Sequence, residues 1–324
     1  MFRLLSVALT LIVLSAVAAA QTGDAGWPER PMRLVVPFPA GASTDIIARI
    51  IAQKLARRLG QQIVVENRAG ASGNIGADAV AKAAPDGTTI GIATASTHAV
   101  AASLSASLPY DPIKDFAPVA MLGSQPYVLV VYPGLPAHDV AELIALAKAK
   151  PGALNYGSAG VASLAHLATA LFASMAGVTI THVPYKSSAQ SMTDMITGRL
   201  DMQFATIAPS LPNIRAGQLR ALATSGKTRV AALPEVATVS ESGIAGYEAA
   251  LWVCFVAPAG TPPGIVARLN REVNDILNSA EGKDTLVAQG MEPEPGPPEA
   301  VTRRIRGDTE KWREVVAKAG IRVE

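Results

Sequence analysis

The first candidate site is a loop of small and hydroxyl residues between the first predicted strand and the first long helix. Gly41 and Ala42 let the backbone approach a ligand closely, and Ser43 or Thr44 can cap the following helix. Because unpaired N–H groups in the first turn of a helix attract anions, this loop favours binding of a carboxylate. Alternatively, these hydroxyls and Asp45 only cap the helix, a role that we expect for Asp45 in either case.

A second loop of the same kind, residues 156–163, lies between a predicted strand and a predicted helix. Ser158, Ala159 and Ser163 make it rich in small and hydroxyl side chains, and His166 follows one turn into the helix. We interpret this loop as a second anion-binding element that faces the first across a cleft. The alternative is an ordinary glycine-rich turn.

Three further positions are candidates for the cleft because each follows a predicted strand, where ligands of α/β sheets collect. Thr97 follows the strand at 88–93, although it can equally cap a helix. Tyr185 can stack on a ligand or hydrogen-bond to it, but such an amphipathic residue is equally plausible at an interface. Thr206 follows the strand at 200–204.

Catalytic and metal sites find little support in the sequence. It contains no Gly-x-Ser-x-Gly pentapeptide, and its four histidines are not spaced as a metal-binding pair. We therefore expect no catalytic residue, no bound metal and no cofactor. A secreted hydrolase that uses Ser158 or His166 is the weaker alternative.

Composition excludes two further classes of protein. Of 324 residues, 49% are hydrophobic and 17% charged, so the chain can bury enough apolar surface to fold. The 28 Lys and Arg balance 26 Asp and Glu to a net charge of +2, without the basic clusters that nucleic acid requires. A single cysteine excludes an intramolecular disulfide.

Residues 1–20 have the pattern of a secretory signal peptide. Arg3 precedes an apolar run that is too short to span a bilayer, and small residues indicate cleavage near Ala20. We expect the mature chain to be exported. The alternative is that this segment is retained as an anchor.

Short β-branched runs alternate with segments of helical periodicity along the mature chain. Predicted strands span 32–38, 62–66, 88–93, 127–132, 154–156, 179–183, 200–204, 219–224 and 247–257. Predicted helices span 46–59, 75–84, 140–150, 164–175, 188–197, 265–278, 282–289 and 298–319. This alternation predicts an α/β fold with parallel sheets and crossover helices.

The order of elements fits two α/β lobes better than one large sheet. Two long strands, near 121–131 and 247–257, are expected to join the lobes. Residues 21–124 with 250–324 then form lobe 1, and residues 125–249 form lobe 2. The helices at the end of the chain are expected to cover a sheet built earlier. This is the organisation of a hinged binding protein.

The segment Phe38-Pro39-Ala40-Gly41-Ala42-Ser43-Thr44-Asp45 resembles the F-P-x-G-G-x-x-D signature of the Bug receptors. These receptors are the substrate-binding proteins of tripartite tricarboxylate transporters. The stretches at 65–76, 84–89, 110–116, 183–186, 233–236 and 258–263 are also similar to that family. The similarity runs in order over nearly the whole mature chain.

The resemblance implies a periplasmic receptor with the type II (Venus flytrap) fold and two crossover strands, and we expect it to be monomeric. Its lobes would close on a small carboxylate and present it to a membrane permease. In the family, the loops matching 38–45 and 157–163 hold a ligand carboxylate, largely by backbone groups and water. Carried over, the ligand-binding residues of these loops are Phe38, Gly41, Ala42, Ser43, Ser158, Ala159 and Ser163.

Two departures from the family pattern bear on the ligand. Ala42 replaces the second glycine of the signature, which crowds the closest backbone approach. Ala205 stands where many relatives carry Asp, and that Asp would suit a ligand amine. The expected ligand is therefore a di- or tricarboxylate without an amine, or an aromatic acid. A receptor that reports ligand to a membrane signalling partner is the alternative to transport.

Overall fold

The computed structural model describes residues 26–104, 108–161, 163–185 and 187–321. The predicted signal peptide at 1–20 lies outside these residues. Within them, none of the helices combines the length and the apolar character needed to cross a membrane.

Strands and helices alternate along most of the described chain. The strands are β1 (Met32–Val36), β2 (Ile63–Asn67), β3 (Thr89–Thr94), β4 (Phe116–Val131), β5 (Asn155–Ser158), β6 (Thr181–Pro184), β7 (Met202–Thr206), β8 (Arg220–Thr224), β9 (Ala250–Pro258) and β10 (Glu292–Pro293). The α-helices are α1 (Ser43–Leu59), α2 (Asn74–Ala81), α3 (Ala101–Leu104), α4 (Val140–Ala149), α5 (Leu164–Ala176), α6 (Ser188–Ile196), α7 (Ile207–Arg215), α8 (Pro263–Asn278), α9 (Ala280–Ala288) and α10 (Glu299–Ala319). A π-helical segment, Ala95–Val100, precedes α3.

The strands are hydrogen-bonded in the order β2-β1-β3-β9-β4-β7-β5-β6, and both β8 and β10 pair with β4. β1 is parallel to β2 and β3, and β5 is parallel to β6 and β7. β9 is antiparallel to β3 and β4, and β4 is antiparallel to β7. Two groups of parallel strands are therefore joined through antiparallel β9 and β4.

β4 is 16 residues long and takes part in both groups. It pairs with β9 from Phe116 to Pro126, and with β7 from Tyr127 to Val131. We call the strands on the β9 side, with β10, the first sheet, and the strands on the β7 side, with β8, the second sheet. The change of partner falls between Pro126 and Tyr127.

The chain runs between the two sheets twice, in β4 at Tyr127 and in the segment before β9 at Ala249. Ser225, directly after β8, is hydrogen-bonded to both. Its N–H donates to Tyr127 O (2.9 Å), and its Oγ accepts from Tyr127 N (2.7 Å). Ala249 N donates to Ser225 O (2.9 Å), and Ser225 Oγ donates to Ala249 O. β4 and the segment that leads into β9 therefore lie side by side. We call this fully buried junction of Tyr127, Ser225 and Ala249 the hinge.

Apolar side chains cover both faces of the first sheet, because successive residues of a strand point to opposite faces. On one face, Leu34 and Phe255 share a buried cluster with Ile47 of α1. On the other face, α10 returns from the end of the chain, and Trp252 Nε1 donates to Asp308 (2.7 Å). The prediction that the last helix covers a sheet built earlier is confirmed.

Two of the differences from the predicted pattern concern β4 and α7. β4 begins at Phe116, eleven residues before the predicted strand at 127–132, because Pro118 and Gly123 lie at register shifts and interrupt its apolar run. α7 was not predicted, because Pro209 and Pro212 argue against a helix. Pro209 lies in the first turn, where a helix loses no internal hydrogen bond, so only Pro212 disturbs the helix interior.

Replacing Ser225 by alanine should lower the free energy of unfolding by about 2–4 kcal/mol. The reason is that the buried Tyr127 N–H and Ala249 O both lose a hydrogen-bonding partner. Urea denaturation of the purified protein measures the change. As a control, Ser240→Ala removes a hydroxyl that accepts an exposed N–H from Gly246, and should cost less than about 0.5 kcal/mol. Equal losses in the two variants would contradict the stabilising role of the hinge.

Candidate functional site

A cavity of about 220 Å³ lies between the start of α1 and the start of α7. It is lined by Gly41, Ser43 and Ile46, by Gln125 and Pro126 of β4, by residues 206–209, and by Gln289 and Gly290. Gly290 lies near the start of α7, since a Cβ at this position would be at van der Waals distance, 3.6 Å, from Ala208 N. None of the described residues that line the cavity carries a charge. An anionic ligand would therefore need backbone N–H groups and neutral side chains.

Both helices that start at the cavity lack a side-chain cap. The N-cap residues are Ala42 for α1 and Thr206 for α7, and neither helix has a side-chain hydrogen bond at this position. Side chains cap α4 (Asp139), α5 (Ser163) and α6 (Ser187), whereas α2, α8 and α10, which do not start at the cavity, also lack a side-chain cap. Because the N-terminal end of a helix carries partial positive charge, two such ends at one cavity favour an anion.

The predicted cap of the first helix is wrong. α1 begins at Ser43, three residues before the predicted start, so the N-cap is Ala42 and not a hydroxyl residue. Ser43 Oγ instead donates to Gln125 Oε1 (2.9 Å), and Thr44 is buried. Gly41 adopts φ of 81°, a left-handed conformation that side chains disfavour, which explains a glycine at this turn.

Asp45 holds the first loop in place and does not line the cavity. One carboxylate oxygen accepts from Gly41 N (2.9 Å), and the other accepts from Asn67 Nδ2 (2.8 Å). Asn67 Nδ2 also donates to Phe38 O (3.0 Å), and Arg49 pairs with the carboxylate at 3.0 Å. Burial alone would raise the pKa of Asp45, but the bonds from Arg49, Gly41 and Asn67 outweigh it and lower the pKa. Its charge is thus neutralised within the loop.

The second predicted loop is stabilised by its own hydroxyls. Ser158 Oγ donates to Gly160 O (2.9 Å), and Ser163 Oγ donates to the same carbonyl (2.8 Å). Ser163 Oγ also accepts from His166 N (3.3 Å) and so caps α5. Ala159 is exposed at the loop surface. None of these residues lines the cavity beside α1 and α7, so their role in ligand binding stays a prediction.

Behind this loop lies a stack of three rings that the sequence did not reveal. Ser158 Oγ lies 2.7 Å from His182 Nε2, and the His182 ring stacks on Tyr156 and on His166. Burial, and secondarily the charge of His182, lowers the pKa of His166 to about 4, and burial also lowers the pKa of His182. Both rings are neutral near pH 7. Ser158 is fully buried, which is unfavourable for the hydrolase alternative because a nucleophile must reach its substrate.

The three remaining candidates lie in different surroundings. Thr97 is fully buried and exchanges hydrogen bonds with Thr94 at the start of the π-helical segment. Tyr185 OH donates to Asp194 (2.7 Å). Only Thr206 lines the cavity. Within the described part of the chain, no group of three or more His, Cys, Asp or Glu residues is arranged to hold a metal ion.

Sequence reasoning missed several residues at the cavity. Ile46, Gln125, Gln289, Gly290 and the start of α7 were not singled out, although they form much of its wall. The sequence did contain one indication of the site, since Gln125 is a polar residue within the apolar run of β4, and the structure shows that it is buried. The start of α7 was not predicted because its prolines argue against a helix.

The chain matches the family described as "Tripartite tricarboxylate transporter family receptor" over residues 47–321. It is also similar to Protein BugT of Bordetella pertussis, with 38% identity over 325 residues. That alignment covers 100% of this chain and 99% of BugT. Both findings confirm the resemblance to the Bug receptors.

Two solved structures are similar to this one. "R. palustris Rpa4515 with adipate" is 40% identical, with a TM-score of 0.81, and covers 91% of this chain and 99% of its own. "MatC (Rpa3494) from Rhodopseudomonas palustris with bound malate" is 32% identical, with a TM-score of 0.76, and covers 90% of this chain and 100% of its own.

These similarities confirm the two-lobed type II binding-protein fold. They also agree with a solute-binding receptor and not with an enzyme. The family consists of periplasmic receptors, which is consistent with the predicted export. The chain is a member of the tripartite tricarboxylate transporter receptor family, the group to which the Bug receptors belong.

Proposed function

We propose that this receptor captures a small carboxylate by closure of its two lobes and delivers it to the permease of a tripartite transporter. The observation that carries the proposal is the pair of uncapped helix N-termini, at Ala42 and Thr206, on one uncharged cavity. Similar proteins hold adipate and malate, which are both dicarboxylates. A dicarboxylate fits this arrangement best, because each helix end can attract one carboxylate.

The neutral side chains of the cavity complete the proposed site. Thr206 supplies a hydroxyl and Gln125 an amide group beside the two helix ends, whereas the hydroxyl proton of Ser43 is already donated to Gln125. Hydrogen bonds from neutral donors to an ionised carboxylate are short and strong. Ordered water can bridge the remaining gaps at little cost. Affinity then arises without an arginine or lysine at the cavity.

The placement of these groups supports a mechanism of lobe closure. With the lobes at 21–124 plus 250–324 and at 125–249, α1 starts in lobe 1 and α7 starts in lobe 2. A ligand that contacts both helix ends binds the closed form more tightly, and so shifts the equilibrium towards it. Closure would also bring the loop of Ser158 and Ser163 towards the ligand. The mature, monomeric receptor would act in the periplasm after cleavage near Ala20.

Adipate and malate should raise the melting temperature of the purified mature chain. A ligand at a hundredfold excess over its dissociation constant adds about 2.7 kcal/mol of stability. Aspartate is the matched control for malate, because it carries an amine in place of the hydroxyl. Its effect should be smaller, since none of the described residues that line the cavity has a charged side chain to pair with the amine. Differential scanning fluorimetry with a panel of acids tests this, and a panel without any shift would refute carboxylate binding.

A negative charge at the start of α7 should abolish ligand binding without unfolding the protein. In Thr206→Asp, the new carboxylate caps the helix and repels the ligand carboxylate by on the order of a few kcal/mol. Thr206→Asn is the matched control, because it places a neutral cap of the same shape at this position. Both variants should keep the melting temperature of the free protein, and only the Asn variant should still respond to adipate. Equal responses would show that α7 is not part of the site.

A further inference from the structure

Gln125 lies at the point where β4 leaves the first sheet. It pairs with Leu251 of β9, and the next two residues complete the change of partner to β7. Its side chain is only 7% exposed. A long polar side chain in this buried place requires hydrogen-bonding partners, because an unpaired amide in the interior is costly.

The Gln125 carboxamide joins two segments of the cavity wall that are far apart in sequence. Oε1 accepts from Ser43 Oγ (2.9 Å), at the first residue of α1. Nε2 donates to Gln289 O (3.0 Å), at the end of α9. The adjacent Gly290 lies near Ala208 at the start of α7. One side chain thus contacts the start of α1 and the turn that lies near α7.

We propose that Gln125 is a positioning residue of the ligand-binding cavity. It holds the start of α1 and the turn at Gln289 and Gly290 in the geometry that receives the ligand. As far as it concerns the ligand, this inference rests on the proposed function.

A carboxamide meets both hydrogen-bonding requirements of this position. The partner on one side is a hydroxyl donor and the partner on the other side is a carbonyl acceptor, so the side chain must accept and donate at once. A glutamate keeps the acceptor for Ser43 and loses the donor for Gln289. A methionine of similar length loses both. The two substitutions therefore separate the two contacts.

Ser124 offers a matched control on the same strand. Its Oγ donates to Glu294 (2.6 Å), which links β4 to the segment after β10, and Ser124 does not line the cavity. Ser124→Ala thus removes one hydrogen bond beside the hinge while leaving the cavity wall intact. General loosening of β4 would affect both positions, whereas the proposed positioning role is specific to Gln125.

Hydrogen exchange in the ligand-free protein tests the positioning role, whichever ligand the receptor takes. Gln125→Met should speed exchange of the amides at 41–46 and of Gly290, each by roughly tenfold. Gln125→Glu should speed exchange at Gly290 and leave 41–46 close to the wild-type rate. Ser124→Ala should change neither segment. Unchanged exchange at both segments in Gln125→Met, or equal changes in Ser124→Ala, would overturn the proposal.

Calorimetric titration with adipate then tests the effect of this positioning on binding. Gln125→Met should weaken adipate binding roughly tenfold to hundredfold while Ser124→Ala does not. Ser43→Ala should reduce adipate affinity by a larger factor in the wild-type protein than in Gln125→Met, because Gln125 acts partly through Ser43. If the effects of the two substitutions are additive, Gln125 does not act through Ser43. If wild-type protein binds none of the acids tested, the proposed function fails, and the exchange experiment still decides the role of Gln125.

Discussion

β4 changes its pairing partner between Pro126 and Tyr127, and both sheets are organised around this change. One continuous strand pairs with β9 up to Pro126 and with β7 from Tyr127, so each sheet is built on the same backbone. Ser225 holds the segment at Ala249, which leads into β9, beside β4 at Tyr127. Because the sheets meet there, α1 after β1 and α7 after β7 begin at the same cavity.

The electrostatics of the cavity depend on this geometry and on the neutralisation of the nearby Asp45 carboxylate by its own partners. Asp45, the charged residue of the first loop, is paired with Arg49 and with the Gly41 amide, so its carboxylate does not oppose an incoming anion. The helix ends at Ala42 and Thr206 carry no side-chain cap. Positive potential at the cavity thus comes from the backbone, and the net charge of the whole chain is only +2.

The sequence predicted the parts of the molecule that depend on local periodicity, and missed those that depend on tertiary context. The loop at Gly41 was found because small residues precede a strongly periodic helix, and the prediction that the last helix covers an earlier sheet held. The cap was misplaced because α1 starts earlier than its apolar periodicity does. α7 was not predicted because Pro209 and Pro212 disfavour a helix. The role of Gln125 was not predicted because Ser43 and Gln289, its hydrogen-bonding partners, are far from it in sequence and come close only in the folded chain.

In the proposed site two helix N-termini receive the ligand together, and backbone amide resonances can report on both ends at once. Adipate titrated into isotope-labelled protein should shift the amides of Ser43 and Thr44 in α1 and of Ile207 and Ala208 in α7. All four should follow one binding curve, because one ligand contacts both helix ends. Saturable binding that leaves the α7 amides unmoved, or moves the two helices with different affinities, would contradict this arrangement.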